Sequence, residues 1–342
     1  MPVDASSLAD VAAFLASAFA PGPDDKFATL DYLRWQYLEW PEGIAPRAHN
    51  CVGDGRILAH AGTVHTQFLV PGKTPGKGPV VSNIHSWYST PNVGPMGAIL
   101  LLQSFATSSG QYAFSFSPAA ARVFKSSGFA TRQVLPIFRR VRRRAAWNQV
   151  YGTEPAGKRL AFRLQEAVLS LARALQPALR PLELEQTTAF DDRPERVACA
   201  AAQHCLVTER RASLLNHFLR YPFGETAGFY FLQAGKTIGF ALLHFAKRHG
   251  LRQAKVLDCL LDTPNPRTYA QALAALEQQM ERRQTDVVFA VAGTPWLQSA
   301  YRRAGYVRRG SNELLIRDPK SQLPSGYPVH MSLLDSDLAF VG

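Results

Sequence analysis

The segment WQYLEWP at positions 35–41 returns as NHFLRYP at positions 216–222. Three further segments recur in the same order: GRILAHA (55–61) as GKTIGFA (235–241), TPN (90–92) as TPN (263–265), and FKSSGF (124–129) as YRRAGY (301–306). The four offsets lie between 173 and 181 residues, so the matches share one frame. Solenoid repeats have far shorter periods of roughly 20–50 residues. The sequence therefore predicts a duplicated domain.

The size and composition of the chain fit this prediction. Its 342 residues are enough for two domains that each bury a core. An apolar content of 46% with 11% aromatic residues is typical of globular proteins. The cysteines form no C-x-x-C pair and have no histidine at zinc spacing, which argues against a disulfide framework and against a metal site. They are Cys51, Cys199, Cys205 and Cys259.

The N-terminal segment has an apolar run at positions 11–20. Asp4 and Asp10 precede it, whereas a signal peptide carries lysine or arginine there. Its apolar residues recur at helical spacing, which predicts an amphipathic first helix. No apolar run reaches the ~18 residues of a membrane span. We therefore expect a cytoplasmic protein without a transmembrane segment.

The charge of the chain is strongly positive and uneven. A net charge of +12 predicts an acidic partner. Five arginines crowd into positions 139–144, namely Arg139, Arg140, Arg142, Arg143 and Arg144. This cluster fits either a solvated linker or a docking surface for a carrier protein, nucleic acid or anionic lipid. The helical pattern at positions 157–179 predicts an amphipathic helix that packs between the domains.

Both halves predict the same order of elements: hairpin, strand, helix, strand, helix, strand. In the first half they are expected at positions 50–70, 80–89, 98–108, 112–116, 118–127 and 129–139. In the second half they are expected at 228–246, 254–261, 268–283, 286–292 and 295–304, followed by a last strand. The predicted boundaries are an N-terminal domain at 1–145, a basic helical linker at 146–185 and a C-terminal domain at 186–342.

This order, with a glycine-containing turn after the strand at 80–89, resembles the GCN5-related N-acetyltransferase (GNAT) superfamily. The ending VHMSLLDSD at positions 329–337 is also similar to the tail of some bacterial tandem members. The resemblance covers both halves and implies an α/β (α+β) fold of two tandem GNAT-like domains. Each would be a mixed, mostly antiparallel sheet flanked by helices. The implied activity is N-acyl transfer from acetyl-CoA or another acyl-CoA, without a metal.

The family's phosphate loop, Q/R-x-x-G-x-G/A, lies between a strand and a helix, where glycine lets the backbone approach a pyrophosphate. The first copy keeps the middle glycine as Gly97, with Gly94 at the leading position and Ile99 at the last. The second copy keeps the two ends, Arg267 and Ala272, without the middle glycine. We favour the first copy. The resemblance then implies a donor held by Trp87, Tyr88, Ser89, Gly94, Met96, Gly97 and Ala98.

The family often places a general base on the strand before this loop. Aligning the two TPN segments sets His85 opposite Asp258, and histidine suits the role because its ordinary pKa lies near neutrality. The family's tyrosine acid corresponds to Phe124 in the first copy and Tyr301 in the second, and Tyr88 is a possible substitute. Ordinary packing is the alternative role for each of these side chains.

The leading hypothesis is an N-acyltransferase whose first copy binds the donor and whose second copy is largely structural. Two alternatives stay open at this point. In the first alternative, the donor is an acyl carrier protein or an aminoacyl-tRNA, which the basic surface would suit. Otherwise the chain is a catalytically degenerate GNAT fold used for binding, since a fold does not determine a function.

Overall fold

The computed structural model describes residues 1–41, 47–74, 76–91, 93–151, 179–336 and 339–340. Its first-half helices are α1 (Leu8–Phe19), α2 (Leu30–Leu33, continued by a π-helical turn over Arg34–Leu38), α3 (Met96–Ala106), α4 (Pro118–Ser126) and α5 (Arg144–Tyr151). Its first-half strands are β1 (Ala48–Gly53), β2 (Arg56–Leu69), β3 (Val80–Ser89), β4 (Gly110–Ala113) and β5 (Ala130–Val141).

The second half repeats the core of this order, as the repeated segments predict. Its strands are β6 (Glu183–Thr187), β7 (Leu206–Thr208), β8 (Glu225–Gln233), β9 (Lys236–Arg248), β10 (Leu251–Leu261), β11 (Val287–Val291), β12 (Val307–Arg317) and β13 (Val329–His330). Its helices are α6 (Arg193–Ala201), α7 (Ala212–Leu219), α8 (Pro266–Arg282) and α9 (Pro295–Arg303), and a 3₁₀ turn spans Leu333–Asp335.

The described strands form one sheet that runs through both copies. Its order is β13-β7-β2-β3-β4-β12-β5-β11-β10-β9-β8-β6, and β1 pairs with β2 at the side. Three strand pairs are parallel, β3–β4, β10–β11 and β7–β13, and the others are antiparallel. The expected α/β class with mixed, mostly antiparallel pairing is confirmed.

The two copies exchange their last strands. Strand β12 of the second copy lies between β4 and β5 of the first, where Leu315 pairs with Ala113. Strand β5 of the first copy lies between β12 and β11 of the second, where Ile137 pairs with Val291. Each half therefore completes its sheet with backbone from the other. The boundaries at 145 and 186 stay a prediction, although the exchange ties the two halves together through hydrogen bonds.

The repeated segments at 35–41 and 216–222 pack against each other between the copies. The Trp35 ring stacks on the His217 ring with centroids 4.5 Å apart, and Trp35 Nε1 donates to the His217 carbonyl oxygen at 3.2 Å. The ring of Phe340, from the C-terminal tail, stacks on Tyr221 in the same cluster. This aromatic cluster joins the two copies on the face of the sheet opposite α3.

The predicted N-terminal helix is confirmed as α1. Its buried face is formed by Leu8, Val11 and Leu15, which recur at the expected helical spacing. Among the helices that the structure describes, none has the length and the apolar run needed to cross a membrane.

Two arginines of the cluster at 139–144 form ion pairs within the fold and Arg143 is exposed, so a docking role for the cluster stays a prediction. Arg140 and Arg142 pair with Glu277 on α8, and Arg142 also pairs with Glu281. The Arg139 guanidinium lies 4.3 Å from the centre of the Trp147 ring. The cluster thus ends β5 and attaches it to α8 of the other copy. The helix predicted at 157–179 lies almost wholly outside the described residues.

Candidate functional site

Strands β3 and β4 of the first copy separate after a short parallel stretch. They pair from Val81 with Gly110 to Asn83 with Tyr112, and the remaining part of β3, positions 84–89, has no pairing with β4. We call positions 84–89 the first-copy strand end. A bulge contributes to the separation, because Ser86 has a φ of 48° and the register with β2 shifts beside it.

The side chains of the first-copy strand end are divided between the two faces of the sheet. Trp87 faces α3, where its Nε1 donates to the Gly97 carbonyl oxygen at 2.9 Å. Tyr88 faces α1, where its ring packs against Phe14 and Phe19. Tyr88 therefore lies on the opposite face from the turn that was expected to hold the donor phosphates.

The turn at 93–95 leads directly into α3. Gly94 is exposed and has a φ of +66°, and Pro95 is the residue before the helix, so its missing N–H costs no helical hydrogen bond. Gly97 is buried, and a Cβ there would lie 2.9 Å from Ser89 Oγ. Glycine at 97 thus allows the helix to approach the strand end closely. Met96 is half-buried and Ala98 is exposed.

The second copy has the same separation but fills it with its own side chains. Strands β10 and β11 pair from Gln253 with Val287 to Val256 with Ala290. The following positions 257–261, the second-copy strand end, are at most 1% exposed. Tyr269 Oη accepts a hydrogen bond from the Leu261 N–H at 3.0 Å, so it satisfies backbone at this strand end.

Tyr301 packs in the core of the second copy. It is 1% exposed, and its ring stacks on Phe138 from β5 with centroids 5.2 Å apart. Burial raises the pKa of Tyr301 well above its ordinary value. Its counterpart Phe124 packs against Trp87 in the first copy. Neither position presents an acidic proton to an open site.

Asp258 is held in a buried ion-pair network. Its Oδ2 accepts a hydrogen bond from Arg210 Nε at 2.5 Å, and its Oδ1 lies 2.9 Å from His330 Nε2. Arg210 also donates to Asp335 in the C-terminal tail at 2.8 Å. Burial alone would raise the pKa of Asp258, but the Arg210 guanidinium and the His330 hydrogen bond hold it well below its ordinary value. The sequence contains both charges but does not show that they meet.

His85 lies on the face of β3 that is turned toward the interface between the two copies. Its Nε2 is 3.4 Å from Gln36 Nε2, its Nδ1 is 3.2 Å from Ser86 Oγ, and its ring covers Gly62. Burial, and then the nearby Arg47 guanidinium, lower the pKa of His85 to about 4. The imidazole is therefore neutral at physiological pH, and it is a weaker base than the near-neutral pKa of an ordinary histidine implied.

A cavity of about 390 Å³ lies between the two copies beside His85. Aromatic side chains form much of its wall, namely Tyr32, Trp35, Trp40, Phe218 and Phe340. Polar groups of the first copy also reach it, including His85, Asn83 and Tyr112.

The C-terminal tail closes one side of this cavity at the point where the first-copy strands separate. Asn83 Nδ2 and Tyr112 Oη both donate to the Asp335 carbonyl oxygen, at 3.1 and 3.2 Å. These two residues form the last parallel pair of β3 and β4. The sequence pointed to this tail through its ending, but not to its position in the site.

Known structures share this architecture. A GCN5-related N-acetyltransferase from Anabaena variabilis superposes with a TM-score of 0.60 at 10% identity, covering 92% of this chain and 71% of that one. A probable N-acyltransferase from Enterococcus faecalis has a TM-score of 0.58 at 12% identity, with 94% and 73% covered. Saccharomyces cerevisiae N-myristoyltransferase with bound myristoyl-CoA has a TM-score of 0.58 at 10% identity, with 93% and 82% covered.

No protein-family model matches the chain, and no curated protein matches it. The likeness thus lies in the arrangement of the backbone over 92–94% of this chain. The resemblance found in the sequence is confirmed by the structure: this chain has the fold of the GCN5-related N-acetyltransferases.

Proposed function

We propose that this protein is an N-acyltransferase that moves an acyl group from a CoA-type thioester to an amine. The observation that carries the proposal is the accessible first-copy strand end, whose positions 86–89 are half-buried, beside a cavity of about 390 Å³. The yeast N-myristoyltransferase of the same fold contains bound myristoyl-CoA, which supports an acyl-CoA donor for this architecture.

The donor would lie along the first copy. Its pantetheine arm would pair with the free backbone edge of Trp87, Tyr88 and Ser89, as a strand adds to a sheet. Its phosphate end would lie at the turn that contains Gly94 and Gly97. The backbone and the packed Trp87 ring supply the recognition here, while Tyr88 contributes backbone only, because its ring packs on α1.

The acceptor would enter the cavity between the copies. The aromatic wall favours an amine that carries an apolar or aromatic part, because such a group loses water contact on entering. The second copy contributes Phe218 and, through Arg210, positions the tail that forms one side of the cavity. Its role in the reaction is to shape the acceptor site.

In the reaction, the uncharged amine attacks the thioester carbonyl carbon, the C–S bond breaks and an amide forms. The nitrogen loses one proton and the leaving thiolate gains one. We propose that His85 accepts the first proton, directly or through a water molecule, since its neutral imidazole lines the cavity. The described first-copy residues place no tyrosine at the family's acid position, so water would protonate the thiolate. Asp258 and Tyr301 then have structural roles.

Binding of coenzyme A tests the donor site. Calorimetry of the native protein should show one site per chain for CoA and for acetyl-CoA. Gly97→Glu should weaken binding at least ~10-fold, because a Cβ at 97 would lie 2.9 Å from Ser89 Oγ and the larger side chain forces α3 away from the strand end. Gly326→Glu is the matched control, since a Cβ at 326 meets nothing within 4 Å. Unchanged CoA affinity in the Gly97→Glu protein would show that CoA does not bind at the first-copy strand end.

The role of His85 is tested by turnover with a panel of aromatic and aliphatic amines, measured as thiol release. We expect His85→Ala to lower kcat ~100-fold or more while the affinity for CoA is kept. Loss of CoA binding together with kcat would show that His85 only supports the fold. Binding of a carrier protein or tRNA without any CoA binding would instead support the alternative donors.

A further inference from the structure

The first-copy strand end, the turn at 93–95 and α3 contain no formally charged residue, whereas α4 carries Arg122 and Lys125, and Lys125 is paired with Glu313. Between Lys77 and Arg122 the chain runs for 44 residues, 78–121, without Lys, Arg, Asp or Glu. Charged residues make up 19% of the chain, so about eight would be expected in a segment of this length. The segment contains β3, the turn at 93–95, α3 and β4, which are the elements that border the proposed donor site.

The second copy shows that the fold does not require this absence. The equivalent elements there, positions 251–297, contain ten charged residues. They are Arg252, Lys255, Asp258, Asp262, Arg267, Glu277, Glu281, Arg282, Arg283 and Asp286. One of them, Arg267, lies at the start of α8, in the turn that matches the first-copy phosphate turn. The uncharged donor side is therefore a property of the first copy alone.

The surface of α3 agrees with the sequence. Its exposed positions include Ile99 and Leu102, which are 38% and 59% exposed. A phosphate monoester carries a charge of about −1.5 to −2 near neutral pH, and proteins usually bind such groups with Arg or Lys. The 3′-phospho-ADP part of coenzyme A carries one such group and a pyrophosphate. This segment provides backbone and apolar contacts for it, and no cation.

We propose that the first copy recognises its donor through the acyl-pantetheine arm, and that the 3′-phospho-ADP part of coenzyme A adds little to the affinity. This inference rests on the proposed function of the first copy. The arm itself is uncharged and offers amides that match the free edge of β3. Such a site accepts the same arm whether coenzyme A or a carrier protein delivers it.

The test is calorimetry of the full chain with a series of shortened donors: CoA, 3′-dephospho-CoA and 4′-phosphopantetheine. We expect the three Kd values to agree within about threefold, because each ligand keeps the arm and loses only the nucleotide groups. Adenosine 3′,5′-bisphosphate, which has the nucleotide and no arm, should not bind or compete. The affinity for CoA should also change little between ~20 and ~200 mM salt.

Several outcomes would overturn the inference. A loss of ~30-fold or more on removing the nucleotide, or tight binding of adenosine 3′,5′-bisphosphate, would show that the nucleotide is recognised. Arg122 on α4 and Arg56 at the start of β2 lie outside the uncharged segment. We expect Arg122→Ala and Arg56→Ala to leave all three affinities unchanged, and a weaker affinity for CoA alone in either variant would show that the nucleotide is recognised. If no member of the series binds, the proposed donor site itself fails, and this result is distinct from binding that depends on the nucleotide.

Transfer assays test whether coenzyme A or a carrier protein can deliver the pantetheine arm. An acylated carrier protein and acetyl-CoA should each transfer to the same amine, and both reactions should be lost in Gly97→Glu. Transfer from acetyl-CoA with a KM at least ~30-fold lower than that for acetyl-phosphopantetheine would contradict the inference.

Discussion

The two strand ends of this protein both follow a short parallel strand pair that separates, and they differ in the side chains that surround them. In the first copy, positions 86–89 are half-buried, and a neutral histidine and a cavity lie beside the point where the strands separate. In the second copy, positions 257–261 are at most 1% exposed, and Tyr269 satisfies the backbone of Leu261. One strand end is thus accessible, and the other is packed into a core.

The difference between His85 and Asp258 shows how the same position takes two roles. The two residues lie opposite each other when the TPN segments are aligned, each within its own strand end. His85 has neutral hydrogen-bond partners and borders the cavity, whereas Asp258 is bound to Arg210 and His330 with no exposed surface. The position to which we assign proton transfer in the first copy is bound to the C-terminal tail in the second.

A decrease in pH should cause the largest change in the free energy of unfolding. Histidines of the first copy should account for more of this change than those of the second. Burial lowers the pKa of His60 to about 3 and the pKa of His65 and His85 to about 4. Since these histidines bind protons in the unfolded chain already near pH 6.5, the free energy of unfolding is highest above that pH and falls as the pH decreases toward 4. Each can contribute ~1.4 kcal/mol per pH unit in this range.

Urea unfolding at pH 7.5, 6.0 and 5.0 measures this slope. His217 and His244 in the second copy also have a pKa lowered to about 3, so they contribute in the same direction. We expect the triple variant His60→Gln/His65→Gln/His85→Gln to reduce the slope more than the double variant His217→Gln/His244→Gln, because three histidines with lowered pKa values lie in the first copy and two in the second. Equal reductions would contradict the greater acid sensitivity of the first copy.

Removal of the Asp258 carboxylate should have the next largest effect. Asp258→Ala leaves Arg210 with its other ion-pair partner, Asp335, but without the carboxylate of the strand end. We expect a loss of ~3–5 kcal/mol in the free energy of unfolding, the size seen when one member of a buried ion pair is removed. His85→Ala should cost less, ~1–3 kcal/mol, because its hydrogen bonds are neutral.

Donor binding tests the Asp258 variant in a second way. Asp258→Ala, studied at a temperature where it stays folded, should bind CoA as the native protein does. A selective loss of CoA binding in Asp258→Ala would move the donor site to the second copy.

A smaller effect is expected at the packed second-copy strand end. Tyr269→Phe removes the hydroxyl that accepts from the Leu261 N–H and leaves this buried donor unsatisfied. We expect a loss of ~1–3 kcal/mol in thermal or urea unfolding, with no change in CoA affinity. Tyr327→Phe is the matched control, since Tyr327 is 39% exposed and should be neutral. A weaker CoA affinity in Tyr269→Phe would show that the second copy is open to the donor.

The duplication and the element order could be predicted from the sequence because they depend on local patterns. The repeated segments keep apolar spacing, the turn glycines and the helix-ending glycines, and these determine local structure regardless of partner. The exchange of β5 and β12 was not predictable in this way. Both strands have the same pattern whether they pair within their own half or across the halves, so their sequences do not indicate the partner.

The site was predicted less well, for reasons that particular residues show. Asp258 could be aligned with His85, but its partners Arg210 and His330 come from two segments that are distant in the sequence. Tyr88 was near the expected turn in sequence, yet the bulge at Ser86 sets which face each following side chain takes. The cavity wall likewise joins residues from both ends of the chain, whose proximity depends on the complete fold.

The central claim is that the first copy alone binds the donor, and hydrogen–deuterium exchange with and without CoA tests it most directly. Backbone amides report binding along an open strand edge, where the pantetheine arm would form hydrogen bonds. We predict slower exchange at positions 86–89 and 94–98 when CoA is bound, with unchanged exchange at positions 257–261. Protection at 257–261 without protection at 86–89 would contradict the account.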